Sequence, residues 1–311
     1  MLRIECSFRE GGNTEDGKLM KGTLYVVATP IGNLEDITRR AERVLREADL
    51  VAAEDTRRTR HLLSSLGINP PLHSHHEHNE AKSAAALVAE LEQGKKVALV
   101  SDAGTPGLSD PGVRLVRLAQ AAGIPVVPVP GPCALAAGIS VAGMAGEEFT
   151  FLGFLPAKKS ARRKKLLQIR DRTERLIFFE APHRLNKSLR DMAEILGDRE
   201  AALLRELTKL HEEIRRSSLR ALAGEAERKI PKGEITLIVA GAVAGAEGDQ
   251  AGLEAELRKR LAEKNLPLKR LAEELARRRG LPRNYVYRRA LSLRREAALA
   301  STEEWPRESE E

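Results

Sequence analysis

The chain has 311 residues, more than one hydrophobic core usually organises, so its length implies two or more domains. Hydrophobic residues make up 42% and charged residues 31%, a balance that excludes a chain disordered throughout. The net charge of +7 is uneven: Lys158 to Arg175 hold nine Lys/Arg against two Asp/Glu, and Ala251 to Ala300 hold fourteen against six. Clustered positive charge is the footprint of a polyanionic partner, because neutralising phosphates releases counterions; for either run alone a solvated helix face is the alternative.

No stretch approaches the roughly 20 uninterrupted apolar residues of a membrane-spanning helix. Met1 to Gly22 lacks the apolar centre of a signal peptide, so the expectation is a cytoplasmic protein with no membrane partner. The two cysteines, Cys6 and Cys133, form no disulfide or zinc pattern, which fits a reducing compartment.

Residues 1–21 carry Gly11, Gly12, Asn13 and several charges without hydrophobic periodicity, and read as a flexible extension with Met20 as an alternative start. From Thr23 short apolar runs alternate with amphipathic segments. Thr23 to Ala28, Asp49 to Glu54, Lys96 to Ser101 and Pro125 to Val129 read as buried strands, and Asp36 to Glu47, Glu80 to Glu92 and Val113 to Ala122 as helices. This βαβ alternation predicts a parallel sheet covered on both faces over residues 22–130. Strands at Phe149 to Phe154, Arg175 to Glu180, Ala201 to Glu206 and Glu234 to Gly241 predict a second α/β domain over 131–245. A linker of Ala, Gly and acidic residues follows. Leucines from Leu257 to Leu291, punctuated by Pro267, Gly280 and Pro282, then predict a small helical module over 251–300, and residues 301–311 an acidic tail.

Three loops stand where ligands bind in an open parallel sheet, at the carboxyl ends of strands. SDAGTPGLSDPG (Ser101 to Gly112) is the richest, with three glycines, two prolines, and Asp102 and Asp110 as acceptors; a purely structural loop is the alternative. Thr29 to Asp36 and Pro130 to Gly138 occupy equivalent places and complete a candidate cofactor edge. No G-x-G-x-x-G follows a strand and no P-loop occurs, so the cofactor is expected to be held without a phosphate-binding loop.

The segments TPIGNLEDIT, AEDTRRTRHLL, SDAGTPGLSDPG, PGPCA, FLGFLP, FFEAPHR and RELTK, in this order and spacing, closely resemble the 16S ribosomal RNA cytidine 2′-O-methyltransferases. That group, the small-subunit methyltransferase I family, belongs to the tetrapyrrole methylase superfamily, and the resemblance runs from Gly22 to Gly241. It implies two α/β domains with S-adenosyl-L-methionine in the cleft between them, a homodimer, and methylation of a decoding-centre cytidine ribose in 16S rRNA, within the small ribosomal subunit. Carried over, the cofactor contacts are Pro30; Ser101, Asp102, Ala103 and Gly104; Pro130, Gly131, Cys133 and Ala134; and Gly233, Glu234 and Thr236. Cys133 stands where the family often has serine, which weakens any hydroxyl contact there.

Methyl transfer to a ribose hydroxyl needs alignment and a proton acceptor. Glu54 or Asp55 is the candidate base and Arg57 a phosphate contact, with a helix N-cap at Asp55 as the alternative. The basic run Lys158, Lys159, Arg162, Arg163, Lys164 and Lys165 is the preferred phosphate patch, joined by Arg184, for which a capping role is equally open. HSHHEHNE (His73 to Glu80) lacks ligand spacing for one helix face, and no metal is expected. The competing functions are a tetrapyrrole-precursor methylase, and a DNA-binding regulator whose α/β portion senses a ligand.

Overall fold

The computed structural model describes residues 21–228, 232–242, 250–262, 267–279, 281 and 283–300. Residues 1–20 of the expected N-terminal extension, most of the linker and the acidic tail lie outside them.

The first unit runs β1 (Thr23–Val27), α1 (Arg39–Glu47), β2 (Leu50–Ala53), α2 (Thr56–Ser65), β3 (Leu72–Ser74), α3 (Glu80–Glu92), β4 (Lys96–Val100), α4 (Val113–Ala121) and β5 (Val126–Val129). Its strands pair in the order β3-β2-β4-β1-β5, all parallel. The expected sheet is covered on both faces, as its uninterrupted apolar strands require. Val27, Val44, Leu45 and Val51 cluster on one side with α1, and Leu24, Leu87, Leu91, Leu99 and Leu115 on the other with α3 and α4. The helix expected from Asp36 is split. Leu34–Asp36 is a 3-10 turn capped by Asn33, and α1 begins only after Thr38, whose hydroxyl accepts from Ala41 N.

Gly112, the residue that caps the start of α4, has φ +125 and lies where a Cβ would come 2.7 Å from Leu99 Cδ2. Gly112→Ala would therefore strain both backbone and core. The variant is expected to lose about 1–3 kcal/mol of stability, read from urea unfolding midpoints at constant slope.

The second unit runs α5 (Ala134–Val141), β6 (Phe149–Phe154), α6 (Lys159–Gln168), β7 (Arg175–Glu180), α7 (Pro182–Ile195), β8 (Glu200–Arg205), β9 (Glu213–Ser218), α8 (Leu219–Arg228) and β10 (Ile235–Val239). The order is β6-β7-β10-β8-β9; only β6 and β7 are parallel. Phe178, Leu166, Leu185, Leu189 and Leu219 bury one face under α6, α7 and α8. On the other, Ile177, Leu204 and Ile238 meet α5 and also Ile31 from the loop after β1, so the two units share a core at their junction. β9 was not expected: EIRRSS has a single apolar residue, and its exposed or half-buried side chains suit a charged sheet edge.

α9 (Gln250–Ala262), α10 (Leu268–Arg279) and α11 (Arg283–Ala300) form the helical module. Leu253, Leu257, Leu271, Leu275, Val286 and Ala290 make a core of their own. Several of its arginines pair internally, among them Arg260 with Glu274 at 2.9 Å, Arg279 with Glu256 and Arg289 with Glu254.

Candidate active site

The loops after β1 and β4 are laced together by backbone. Thr29 N donates to Gly104 O at 2.9 Å, Gly104 N returns a bond to Thr29 O at 3.0 Å, and Thr29 Oγ1 donates to Ser101 O at 3.2 Å. Thr105 Oγ1 reaches Pro132 O at 3.3 Å and so ties in the third loop. These loops, at the carboxyl ends of three strands, form one wall of a cleft of about 620 Å³. Asp102, Ala103, Gly104, Cys133 and Ala134 line it from this side, and Gly233, Glu234 and Thr236 from the second sheet. The remaining four expected cofactor residues are not in the lining. Ser101 is buried beneath its loop, Pro30 flanks the Thr29 bridge, and Pro130 and Gly131 join β5 to the approach to α5.

Carboxylates gather on the first wall. Glu54 follows β2 and lines the cleft. Burial, reinforced by the neighbouring charge of Asp102, raises its pKa above the ordinary carboxylate value. Asp110 is pushed up to about 6, chiefly by burial and further by Glu54, Asp102 and Glu234, against a hydrogen bond from Ser101. Asp102 is differently placed: Oδ1 accepts from Asp55 N at 2.9 Å and Oδ2 lies 3.2 Å from Arg58 Nη1. It fixes the glycine-rich loop to the start of α2.

Asp55 takes the alternative role. Its side chain caps α2, accepting from Arg57 N at 2.8 Å and from the Arg57 guanidinium at 3.0 and 3.2 Å. Those bonds hold its pKa down at about 2, so Asp55 is a poor proton acceptor and is absent from the lining. Arg57 is 88% exposed, outside the cleft, whereas Arg58 lines it. The expected Arg57 therefore stands away from the cleft that its neighbour enters, because the two residues leave the helix about 100° apart.

The second wall carries groups that sequence reasoning had not assigned. Lys209 Nζ bridges Glu206 Oε1 at 2.8 Å and Glu234 Oε2 at 3.1 Å. Glu206 and Thr208 hold positive φ of +52 and +66, the kind of backbone strain that collects at functional sites. RELTK was visible as a motif, but nothing in it told which side chain faces the cleft. Phe154, Phe179 and Glu180 complete this wall. Glu180 is 3% exposed and accepts from Ala181 N, Arg184 Nε and Ser188 Oγ. Arg184 is thus anchored to a buried carboxylate rather than standing clear for phosphate.

The basic run on α6 requires a correction. Arg162 is 4% exposed, with Nε 2.7 Å from Asp191 Oδ2 and Nη1 donating to Ala157 O. Arg163 is half-buried and bridges Asp191 and Glu194. Both are engaged inside the second unit. Lys158, Lys159 and Lys164 are exposed and Lys165 half-buried. In HSHHEHNE, His75 is fully buried with Nδ1 3.0 Å from Ser83 Oγ, and burial lowers its pKa.

Residues 23–223 match the family described as Tetrapyrrole (Corrin/Porphyrin) Methylases. The chain is 49% identical over 275 residues to the ribosomal RNA small subunit methyltransferase I of Pseudomonas aeruginosa, covering 87% of this chain and 97% of that protein. Its likeness to the namesake from Escherichia coli O157:H7 is 47% over 277 residues, covering 87% and 95%. Among solved structures, the methyltransferase CobJ superposes with a TM-score of 0.56 at 20% identity, covering 71% of this chain and 95% of CobJ, a likeness of fold. By sequence and fold together, the chain belongs to the ribosomal RNA small subunit methyltransferase I family of the tetrapyrrole methylases.

Proposed function

We propose that the protein transfers a methyl group from S-adenosyl-L-methionine to small-subunit ribosomal RNA, and that the acceptor is the 2′-hydroxyl of a decoding-centre cytidine in 16S rRNA. The observation that carries this reading is identity of 44–49% to relatives bearing the rRNA methyltransferase name, over nearly their whole length. A cytoplasmic homodimer acting on the small subunit, with the C-terminal helices docking rRNA, belongs to the same reading.

The residues present fit the cofactor. About 620 Å³ lies within the range of small-molecule sites. The half-buried carboxylates Glu54 and Asp110, with Asp102 and Glu234 nearby, complement a cationic ligand. Ala103, Gly104, Cys133, Ala134, Gly233 and Thr236 would hold it, with Cys133 offering a thiol at the start of α5. When bound, S-adenosyl-L-methionine supplies an already activated methyl electrophile.

The protein's share is positioning and proton removal. Glu54 and Asp110 are the acceptors best placed for the ribose proton, because burial has raised the affinity of both for a proton. Arg58, held by Asp102, offers a cation at the same wall for the nucleotide phosphate. Lys209 does so opposite.

Reaction with methyl-labelled cofactor tests this against the fold's other chemistry. Label is expected in unmodified small ribosomal subunits and not in an acidic tetrapyrrole precursor; the reverse distribution would refute the proposal. Lys158, Lys159 and Lys164 changed together to Glu should weaken rRNA binding. Each lost phosphate contact should lower the salt slope by about 0.7–0.9, with cofactor Kd unchanged, as read by filter binding across a salt series.

A further inference from the structure

β6 does not keep its register to the end. Its pairing with β7 shifts between Phe151 and Phe154, around Gly153, whose φ of +62 lies in the left-handed region that glycine enters without strain. A bulge re-aims the side chains beyond it. Phe154 accordingly lines the cleft while remaining 52% exposed. The bulge also fits against the glycine-rich loop, since a Cβ at Gly153 would sit 3.1 Å from Ser109 Oγ.

Two neighbours, each braced in turn, pack against the ring. Phe179 meets it edge-on at 5.8 Å between centroids and is itself braced by Phe151 at 4.9 Å. The Arg184 guanidinium carbon lies 5.9 Å from the Phe154 centroid. Arg184 is held there by Glu180, with Nη2 to Oε1 at 2.9 Å, and the Glu180 side chain is 1% exposed. A phenyl ring this exposed contributes little to the core, yet it has an aromatic edge and a guanidinium against it.

A rigid aromatic ring with open surface, beside a guanidinium, is how proteins stack unpaired nucleobases. We propose that Phe154 and Arg184 form a nucleobase subsite, on which the base of the target nucleotide stacks while its ribose enters the cleft. This rests on the rRNA methyltransferase reading above. The ring stands at the rim, and the exposed Lys158 and Lys159 follow it within five residues, placing phosphate contacts beside the stacked base. The adenine of the cofactor is the other flat ring that could reach it.

The experiment compares full-length wild type, Phe154→Ala and Phe154→Trp. It measures kcat/KM on unmodified small ribosomal subunits and, by calorimetry, Kd for S-adenosyl-L-methionine. Phe154→Ala should lose about 5–150-fold in kcat/KM, the range of one stacked base, while cofactor Kd stays at the wild-type value. Phe154→Trp should recover most of the loss. Unchanged kcat/KM in Phe154→Ala would overturn the subsite, as would a matching rise in its cofactor Kd, which would give the ring to adenine. A wild-type enzyme that methylates no subunit would overturn the rRNA reading, and the subsite with it. Unchanged cofactor Kd also shows that the variants are folded.

Discussion

Asp110→Asn is expected to lower methyl transfer at saturating cofactor by about 10²–10⁴-fold, the usual contribution of a positioned proton acceptor. The same variant should be more stable than wild type at alkaline pH. Burial raises the Asp110 pKa from 3.8 to about 6, so the folded protein binds this proton more tightly than the unfolded chain does. Its stabilising effect is fully present below 3.8 and is lost as the pH rises through about 6. Above that, the ionised carboxylate is a burden that Asn removes. Thermal unfolding should show a higher Tm for the variant at pH 8 and a gap that closes towards pH 4. Wild-type turnover should in turn climb through about pH 6 as the carboxylate ionises. A variant both active and no more stable at pH 8 would remove Asp110 from the chemistry. Stability sacrificed for a working group is the pattern expected at an active site.

The largest loss of stability should come from Asp191→Ala. Asp191 is 4% exposed and holds Arg162, equally buried, through contacts of 2.6 and 2.7 Å, with Arg163 at 3.0 Å. Removing the carboxylate leaves a buried guanidinium with only Ala157 O. Breaking such a pair by one partner costs about 3–5 kcal/mol. The double variant Arg162→Met, Asp191→Leu should recover most of it, because the uncompensated charge is gone. Chemical denaturation of the three proteins checks this; equal losses in the single and double variants would contradict it.

Much of the first sheet was legible because its strands are short apolar runs and its helices amphipathic: Glu80–Glu92 was bounded to the residue, whereas α2 and the short β3 were not singled out. β9 was not, since pairing with β8 rather than apolar pattern makes it a strand. The burial of Arg162 left a trace that went unused. It lies four residues before Leu166 and seven before Ile169, on the stripe that faces the core, so helical spacing argued against a phosphate role. The cleft's loops announced themselves through Gly and Pro, and eight of the twelve expected cofactor residues line it. The convergence of Asp110 with Glu54 and of Lys209 with Glu234 is tertiary, and residues so far apart in sequence give no local sign of meeting. At Asp55, by contrast, the N-cap alternative was open from the start, and the bonds to Arg57 select it.

In the proposed function this cleft methylates a ribose oxygen of small-subunit rRNA. A 2′-O-methyl group blocks the neighbouring-group attack by which alkali cleaves RNA, so the product can be read chemically. Unmodified small subunits are incubated with enzyme and methyl-labelled S-adenosyl-L-methionine, and the rRNA is then hydrolysed in alkali. Label retained in a single alkali-stable dinucleotide beginning with cytidine is the predicted result. Label released in mononucleotides, as from base methylation, would contradict the account.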